Sequence, residues 1–246
     1  MCDRPFRSAD RACSIWLARG CGWRRPLIGH AYILGADPSH GRDVSSQRRG
    51  RDPDWSEVQI FDYDSGEQVG RYRARDRPGR FAQVVAQLGK YFRYGFIVPE
   101  SNDPGFIDGL VAEYPLARIY HRQNGSGGMT SDDIGYYETD ITRRQLVAHL
   151  DEALIKREIH IHDAITQNEM NTFVYTPTGK AEHSPNRHDD CVMATGLVVM
   201  GRLQAPVEIM RSTDPMAVRV DVKPVNYLAD KRADGEEDEY KHYRRY

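Results

Sequence analysis

The chain has 246 residues and a formal net charge of −2, from 34 Lys and Arg against 36 Asp and Glu. Its length allows one domain with tails or two small domains, and no run of about 18 apolar residues occurs, which excludes a transmembrane protein. Its 14 Tyr, 7 Phe and 3 Trp are too many aromatic residues for a wholly disordered chain. The balanced charge argues against non-specific coating of nucleic acid but is compatible with a local basic groove.

The first residues and the cysteines indicate the compartment. Residues 1–28 are rich in arginine, show neither helical nor strand periodicity and lack the apolar core of a secretion signal, so we expect a poorly structured leader. The four cysteines include no C-x-x-C pair, which argues against a zinc ribbon or a disulfide scaffold. We therefore predict a location in a reducing cytoplasm.

Three strands in succession are predicted at the start of the folded region. The apolar run over residues 31–37 ends in an acid and indicates a buried strand. Residues 56–62 and 67–73 flank the turn Asp64-Ser65-Gly66, so we expect them to form a β-hairpin.

Helices and strands then alternate. The predicted elements are a helix over 81–92, a strand over 96–100, a helix opened by Asp103-Pro104, a short strand over 118–122 and a glycine-rich loop over 124–128. Further along, they are a long helix over 140–158, a strand over 159–162, a helix from Asp163 to 173 and an apolar helix from 190 to about 201. The apolar stripe of the long helix consists of Ile141, Leu146, Val147, Leu150 and Leu154. This pattern predicts the α/β class, with a mixed sheet in one domain over 29–202 and an extension over 203–246 that ends in a flexible charged tail.

Acidic residues stand at the ends of three predicted buried elements. Asp37 and Glu100 each end a strand, and Asp189 and Asp190 precede the last helix. A carboxylate at a strand end stays at the rim of the sheet, where a ligand can reach it. If the two strands are neighbours, the carboxylates converge, and a hard divalent cation relieves their repulsion. Taken singly, a turn at Asp37-Pro38 or an N-cap at Asp189 would explain each acid; taken together, the acids predict metal-dependent phosphodiester hydrolysis by two ions about 3.5–4 Å apart.

Four motifs follow one another in the sequence: ILGADPSHG at 33–41 with DWSEV at 54–58, VPESNDPG at 98–105, YYETDITR at 136–143 and HDDCVMA at 188–194. In the same order, they resemble motifs of the nuclease domain of the large terminase subunits of tailed phages. The sequence departs from the family at 185–187, where Pro-Asn-Arg stands in a position that tends to be glycine.

The resemblance implies a ribonuclease-H-like mixed sheet with helices on both faces. It also implies an endonuclease that uses two Mg²⁺ or Mn²⁺ ions to cut concatemeric phage DNA during genome packaging. Carried over by position, Asp37, Glu100 and Asp189 are the metal-binding acids, and Asp190 is either a fourth ligand or the neighbour that caps the helix.

The phosphate-binding motif G-x-x-x-x-G-K-[ST] of a packaging ATPase does not occur in the sequence. We therefore predict no ATPase activity, and expect a nuclease domain alone, a truncated prophage remnant or one part of a split gene. The resemblance implies double-stranded DNA as substrate and a separate terminase ATPase, a small terminase subunit and a portal as partners, in the cytoplasm of a bacterial host and without a membrane.

Basic residues near the acids are candidates for contact with DNA phosphates. Arg71, Arg73 and Arg75 recur with period two, so a continuing strand would place them on one face, as phosphate ligands or as a solvated surface. The loop after Asp37 contributes Arg42, Arg48 and Arg49, with the same two interpretations. His188, next to the acids, could orient a carboxylate or contact phosphate.

Two other functions compete with a terminase nuclease. One is another ribonuclease-H-like phosphodiesterase, such as a junction resolvase or a transposase. The other is an inactive prophage relic, or a domain that docks DNA or a portal ring. The complete set of acids argues against decay, whereas the missing ATPase motif argues for it.

Overall fold

A mixed five-stranded sheet forms the centre of the protein. The computed structural model describes residues 13–14, 26–39, 55–122, 134–175, 181–183, 188–205 and 207–211. The strands of the sheet are β1 (Cys13–Ser14), β2 (Tyr32–Asp37), β3 (Ser56–Asp62), β4 (Gln68–Ala74) and β5 (Phe96–Pro99). They follow the order β1-β4-β3-β2-β5, in which β2 and β5 are parallel and the other neighbours are antiparallel.

Helices and a small second sheet complete the described elements. The helices are α1 (Pro78–Tyr91), α2 (Pro104–Glu113), α3 (Asp140–Ile155), α4 (Ala164–Thr172), α5 (Asp190–Gln204) and α6 (Val207–Arg211), with a 3-10 turn at Leu116–Arg118. The second sheet pairs β6 (Phe173–Tyr175) with β7 (Ala181–His183). Among the residues just delimited, no helix has both the length and the apolar character needed to span a bilayer.

Two hydrophobic cores lie on opposite faces of the sheet, which confirms the expectation of helices on both faces. Successive side chains of a strand point to opposite faces. In β2, Leu34 and Ala36 therefore join the core formed with α1 and α2, whereas Ile33 joins the core formed with α3 and α5. Burial on both faces explains why this strand is a continuous apolar run in the sequence.

The predicted hairpin is confirmed, and its turn has a clear local cause. Asp62 accepts hydrogen bonds from the backbone N–H groups of Asp64 and Ser65 at 2.9 and 3.1 Å. Gly66 then adopts a φ of +71°, a conformation that favours glycine. The start of α2 is also as predicted, because Asp103 accepts from the backbone N–H of Phe106 at 3.0 Å.

Other predicted elements differ from the structure. Residues 118–122 and 159–162 form only isolated bridges, through Ile119, His121 and His160, so neither is a regular strand. The buried face of α3 consists of Leu146, Val147, Leu150 and Ala153. Ile141 is 66% exposed, since α3 packs on α5 through a narrower and slightly rotated stripe.

A close approach between β2 and α5 determines how the last core helix lies on the sheet. A Cβ atom on Gly35 would sit 2.0 Å from the backbone oxygen of Ala194. Glycine at this position therefore lets the helix backbone rest directly on the strand backbone. The start of α5 is thereby brought over the end of β2, where Asp37 lies.

Several predicted segments lie outside the described residues. These are most of the leader at 1–28, the arginine-rich loop after position 39, the glycine-rich loop at 124–128 and the charged tail. Cys13 and Ser14, inside the predicted leader, pair with Tyr72 and Arg71 of β4. The limits of the folded domain at 29 and 202 stay a prediction.

Candidate metal centre

Asp37 and Glu100 meet at the carboxyl ends of two parallel neighbouring strands. The register pairs Ala36 with Pro99, and the backbone N–H of Glu100 donates to the carbonyl oxygen of Ala36 at 2.8 Å. The two carboxyl groups lie close enough for Glu100 to raise the pKa of Asp37. The sequence predicted that these two acids converge if their strands are neighbours, and in the structure the strands are neighbours.

The electrostatic environment of Asp37 is strongly unfavourable to its ionised form. Burial and the charges of Glu100, Asp190 and Glu138 raise the pKa of Asp37 well above its usual range. All of these principal contributions act in the same direction, and none comes from a basic side chain. Converging carboxylates with an all-oxygen donor set are the arrangement that a hard divalent cation stabilises. The residues present therefore fit a magnesium-type ion.

The helix start places the two aspartates that the sequence left open in different surroundings. Asp190 lies one turn before Ala194, on the side of α5 that rests on Gly35, so its charge reaches Asp37. Asp189 forms an ion pair with Arg143 of α3. We call Asp37, Glu100 and Asp190 the edge site.

A group of side chains away from the edge site is also compact enough to hold a metal ion. Among the described residues, His30, Asp62 and Asp64 place ligand atoms within 4.8 Å of one another, a closeness that the three acids of the edge site do not reach. This group lies at the opposite ends of β2 and β3. Its carboxylates already accept hydrogen bonds from His30, from backbone N–H groups and from Arg211 at 2.7 Å, so ordinary turn contacts explain it.

Two of the predicted phosphate contacts are corrected by the structure. Arg71 is only 1% exposed, and its Nη1 donates to Asp163 at 2.7 Å. Arg73 is also buried and donates to Glu169 at 2.5 Å. Both arginines lie beneath α4 and α5, so they neither reach DNA nor form a solvated sheet face.

These arginines belong to a network that sequence reasoning missed. We call it the buried ion-pair cluster, and its members are Glu57, Arg71, Arg73, Asp163 and Glu169. Burial raises the pKa of Glu57 well above its usual range, although Arg71 and Arg73 act in the opposite direction. The sequence carried one signal for this network. Asp163 and Glu169 lie six residues apart at the predicted helix after 163, and Arg71 and Arg73 lie two residues apart in a predicted strand.

The remaining predicted basic residues have different surroundings. Arg75 is exposed and its guanidinium lies 4.0 Å from the ring centre of Trp55. His188 lies 3.6 Å from Asp190, beside the edge site. Arg42, Arg48 and Arg49 are outside the described residues. Contact of these residues with DNA stays a prediction.

Solved structures share this arrangement of strands and helices. The large terminase nuclease domain of Thermus phage P74-26 matches with a TM-score of 0.53 and 18% identity, over 74% of this chain and 85% of that one. The large terminase nuclease of thermophilic phage G20c with bound magnesium matches with a TM-score of 0.51 and 17% identity, over 71% and 82% of the two chains. This chain has the ribonuclease-H-like fold of those nuclease domains.

The predicted fold class is therefore confirmed. The G20c nuclease with bound cobalt also matches, with a TM-score of 0.50 and 16% identity over 70% of this chain and 81% of that one. Neither a protein-family model nor a curated protein sequence matches the chain. At this level of identity the likeness shows the fold alone.

Proposed function

We propose that this chain is a divalent-metal-dependent DNA endonuclease of the large terminase type. The observation that carries the proposal is the convergence of Asp37, Glu100 and Asp190 at one sheet edge. This convergence occurs in a fold shared with terminase nucleases, one of which was solved with bound magnesium.

In this proposal the three acids of the edge site hold Mg²⁺ or Mn²⁺, as two ions. A bound pair of such ions lowers the pKa of an attacking water and stabilises the leaving oxygen of a phosphodiester. Asp37 interacts with both Glu100 and Asp190, so it would be the central carboxylate of the site. Protons compete with a cation for these carboxylates, so metal binding should weaken as the pH falls.

Asp189 has a different role in this proposal. Its ion pair with Arg143 ties the start of α5 to α3 and so orients the neighbouring Asp190. Asp189 is therefore proposed as a positioning residue, whereas Asp190 is the ligand.

The proposed substrate is double-stranded phage DNA, cut from concatemers during packaging in the bacterial cytoplasm. Arg75 and His188, together with Arg42, Arg48 and Arg49, are the proposed phosphate contacts. Packaging by a terminase also needs an ATPase, a small subunit and a portal, which we propose as partners. We expect no ATP turnover by the purified chain.

Plasmid cleavage tests the proposal. The purified chain should nick and linearise supercoiled plasmid with Mg²⁺ or Mn²⁺, and should not do so with EDTA. Asp37→Asn should lower the rate by at least 100-fold, because it removes the central carboxylate of the site. Asp108→Asn, a change of an exposed acid in α2, is the matched control and should cut at the wild-type rate.

The competing functions predict other results. Failure of the folded wild-type chain to cut with any metal would favour the relic or the docking domain. Preference for a four-way junction over linear duplex would favour a resolvase. Cutting that survives in Asp37→Asn would overturn the assignment of the site.

A further inference from the structure

Asp37 and Glu100 stand at the ends of the neighbouring strands β2 and β5. The structure brings one more acid to this edge of the sheet. The backbone N–H of Tyr136 donates to the oxygen of Pro99 at 2.7 Å, and that of Ser101 donates to the oxygen of Tyr136 at 2.9 Å. The segment around Tyr136 thus extends the sheet beside β5, in the parallel direction. Two residues later the chain reaches the same edge at Glu138.

The backbone of Glu138 is held firmly beside Glu100. The side-chain amide of Asn102, two residues after Glu100, accepts from the backbone N–H of Glu138 at 2.9 Å and donates to its carbonyl oxygen at 3.1 Å. The next residue, Thr139, caps α3 through a reciprocal pair of hydrogen bonds with Thr142. Glu138 is therefore placed on a stiff backbone, as a ligand position requires.

The side chain of Glu138 lies beside the start of α5, because Arg143 contacts both Glu138 and Asp189, the residue before Asp190. Its charge adds to the raised pKa of Asp37, after burial and the charges of Glu100 and Asp190. Its Oε1 accepts from Arg143 at 2.9 Å, and its Oε2 makes no hydrogen bond to the described residues. The side chain is 23% exposed, which leaves it accessible to an ion.

We propose that Glu138 supplies a fourth carboxylate to the divalent-cation site, positioned there by the amide of Asn102. The inference rests on the proposed function and deepens it. Arg143, which contacts both Glu138 and Asp189, competes with the cation for the Glu138 carboxylate. Arginine at this point therefore balances the charge of the acids before a cation binds.

Calorimetric titration of the full chain with Mn²⁺ tests this role without measuring catalysis. Glu138→Gln should weaken Mn²⁺ binding by at least 10-fold, the usual scale for loss of a metal-site partner. Asp140→Asn removes the same charge from an exposed position two residues away and should change the affinity by less than twofold. Asn102→Ala should also weaken binding, because Glu138 loses the contact that positions it.

Arg143→Gln separates a ligand from a structural ion pair. Arg143→Gln frees the Glu138 carboxylate but also removes the ion pair with Asp189 that positions Asp190, so it is compared with Asp189→Asn, which removes only that ion pair. If Glu138 binds the cation, Arg143→Gln should bind Mn²⁺ at least as tightly as Asp189→Asn. Weaker binding by Arg143→Gln than by Asp189→Asn would overturn the inference, since the Arg143–Glu138 ion pair itself would then be what matters. Thermal unfolding of each variant confirms that it is folded.

Two further outcomes distinguish this inference from the proposed function. If Asp37→Asn abolishes Mn²⁺ binding while Glu138→Gln stays within twofold of wild type, only the inference is wrong. If Asp37→Asn binds Mn²⁺ like wild type, the edge site is not the metal site, and both are overturned.

Discussion

Two groups of charged residues lie on the same face of the sheet, and they are built in opposite ways. In the buried ion-pair cluster, carboxylates lie opposite Arg71 and Arg73 at distances of 2.5–3.9 Å. In the edge site, Asp37 is surrounded by other acids, and burial together with their charges raises its pKa well above its usual range. Arg73 lies 3.5 Å from Asp190, so the two groups are neighbours.

The difference teaches which charges hold the fold and which are kept for a ligand. A buried carboxylate opposite an arginine is neutralised within the protein, so its removal costs folding energy. Ionising a carboxylate that faces other carboxylates is unfavourable, because their charges repel. Such an arrangement is typical of a site where a bound cation offsets the repulsion. Substitutions in the buried ion-pair cluster and in the edge site should therefore change stability in opposite directions.

The largest expected effect on stability comes from a change in the buried ion-pair cluster. Arg71→Met should lower the free energy of unfolding by about 3–5 kcal/mol, because it leaves the buried Asp163 without its arginine and Glu57 with Arg73 alone. Urea denaturation measures it, and Arg75→Met, at an exposed arginine of the same strand region, is the matched control. A fully stable Arg71→Met chain with weakened DNA binding would restore the phosphate-contact interpretation.

A smaller loss is expected where the helix rests on the strand. Gly35→Ala should cost about 1–3 kcal/mol, because the added methyl group would collide with the backbone oxygen of Ala194. The same change should weaken Mn²⁺ binding, since it pushes Asp190 away from Asp37. Gly79→Ala, whose Cβ would contact nothing within 4 Å, should leave both quantities unchanged. Equal behaviour of the two variants in chemical denaturation would refute the close approach.

Removal of a charge from the edge site should raise the stability of the protein at neutral pH. The pKa of Asp37 in the folded chain is above its unfolded value of about 4, so the folded state binds the proton more tightly. Stability in EDTA should therefore fall as the pH rises from about 4 through the folded pKa. Asp37→Asn should remove this part of the fall and gain on the order of 1 kcal/mol at neutral pH. Thermal unfolding across the pH range measures it, and a destabilised variant at neutral pH would contradict the contrast.

The smallest effect is expected at the exposed arginine. Arg75→Ala should leave stability nearly unchanged, yet weaken binding to all DNA sequences and reduce the salt slope of binding by about one. Binding titrations at several salt concentrations, with metal chelated, measure the slope. An unchanged slope would leave Arg75 as a surface residue that packs on Trp55.

Much of the fold was predictable because its causes are local. The strand Ser56–Asp62 has the predicted limits, and the hairpin follows from turn residues next to it in the chain. The start of α2 depends on Asp103 and Pro104, which act within one helical turn. The predicted strands over 118–122 and 159–162 are wrong because apolar alternation in a short segment does not guarantee a partner strand over its full length.

The sequence by itself determined the class of the fold and the presence of acids at element ends, because periodicity and capping are properties of neighbouring residues. Only the tertiary structure decided how those acids combine. The contact between Gly35 and Ala194 turns Asp190, rather than Asp189, toward Asp37. The same packing of α4 and α5 over β4 buries Arg71 and Arg73. Such contacts join residues far apart in the chain, and no local pattern specifies which face of a helix will meet which strand.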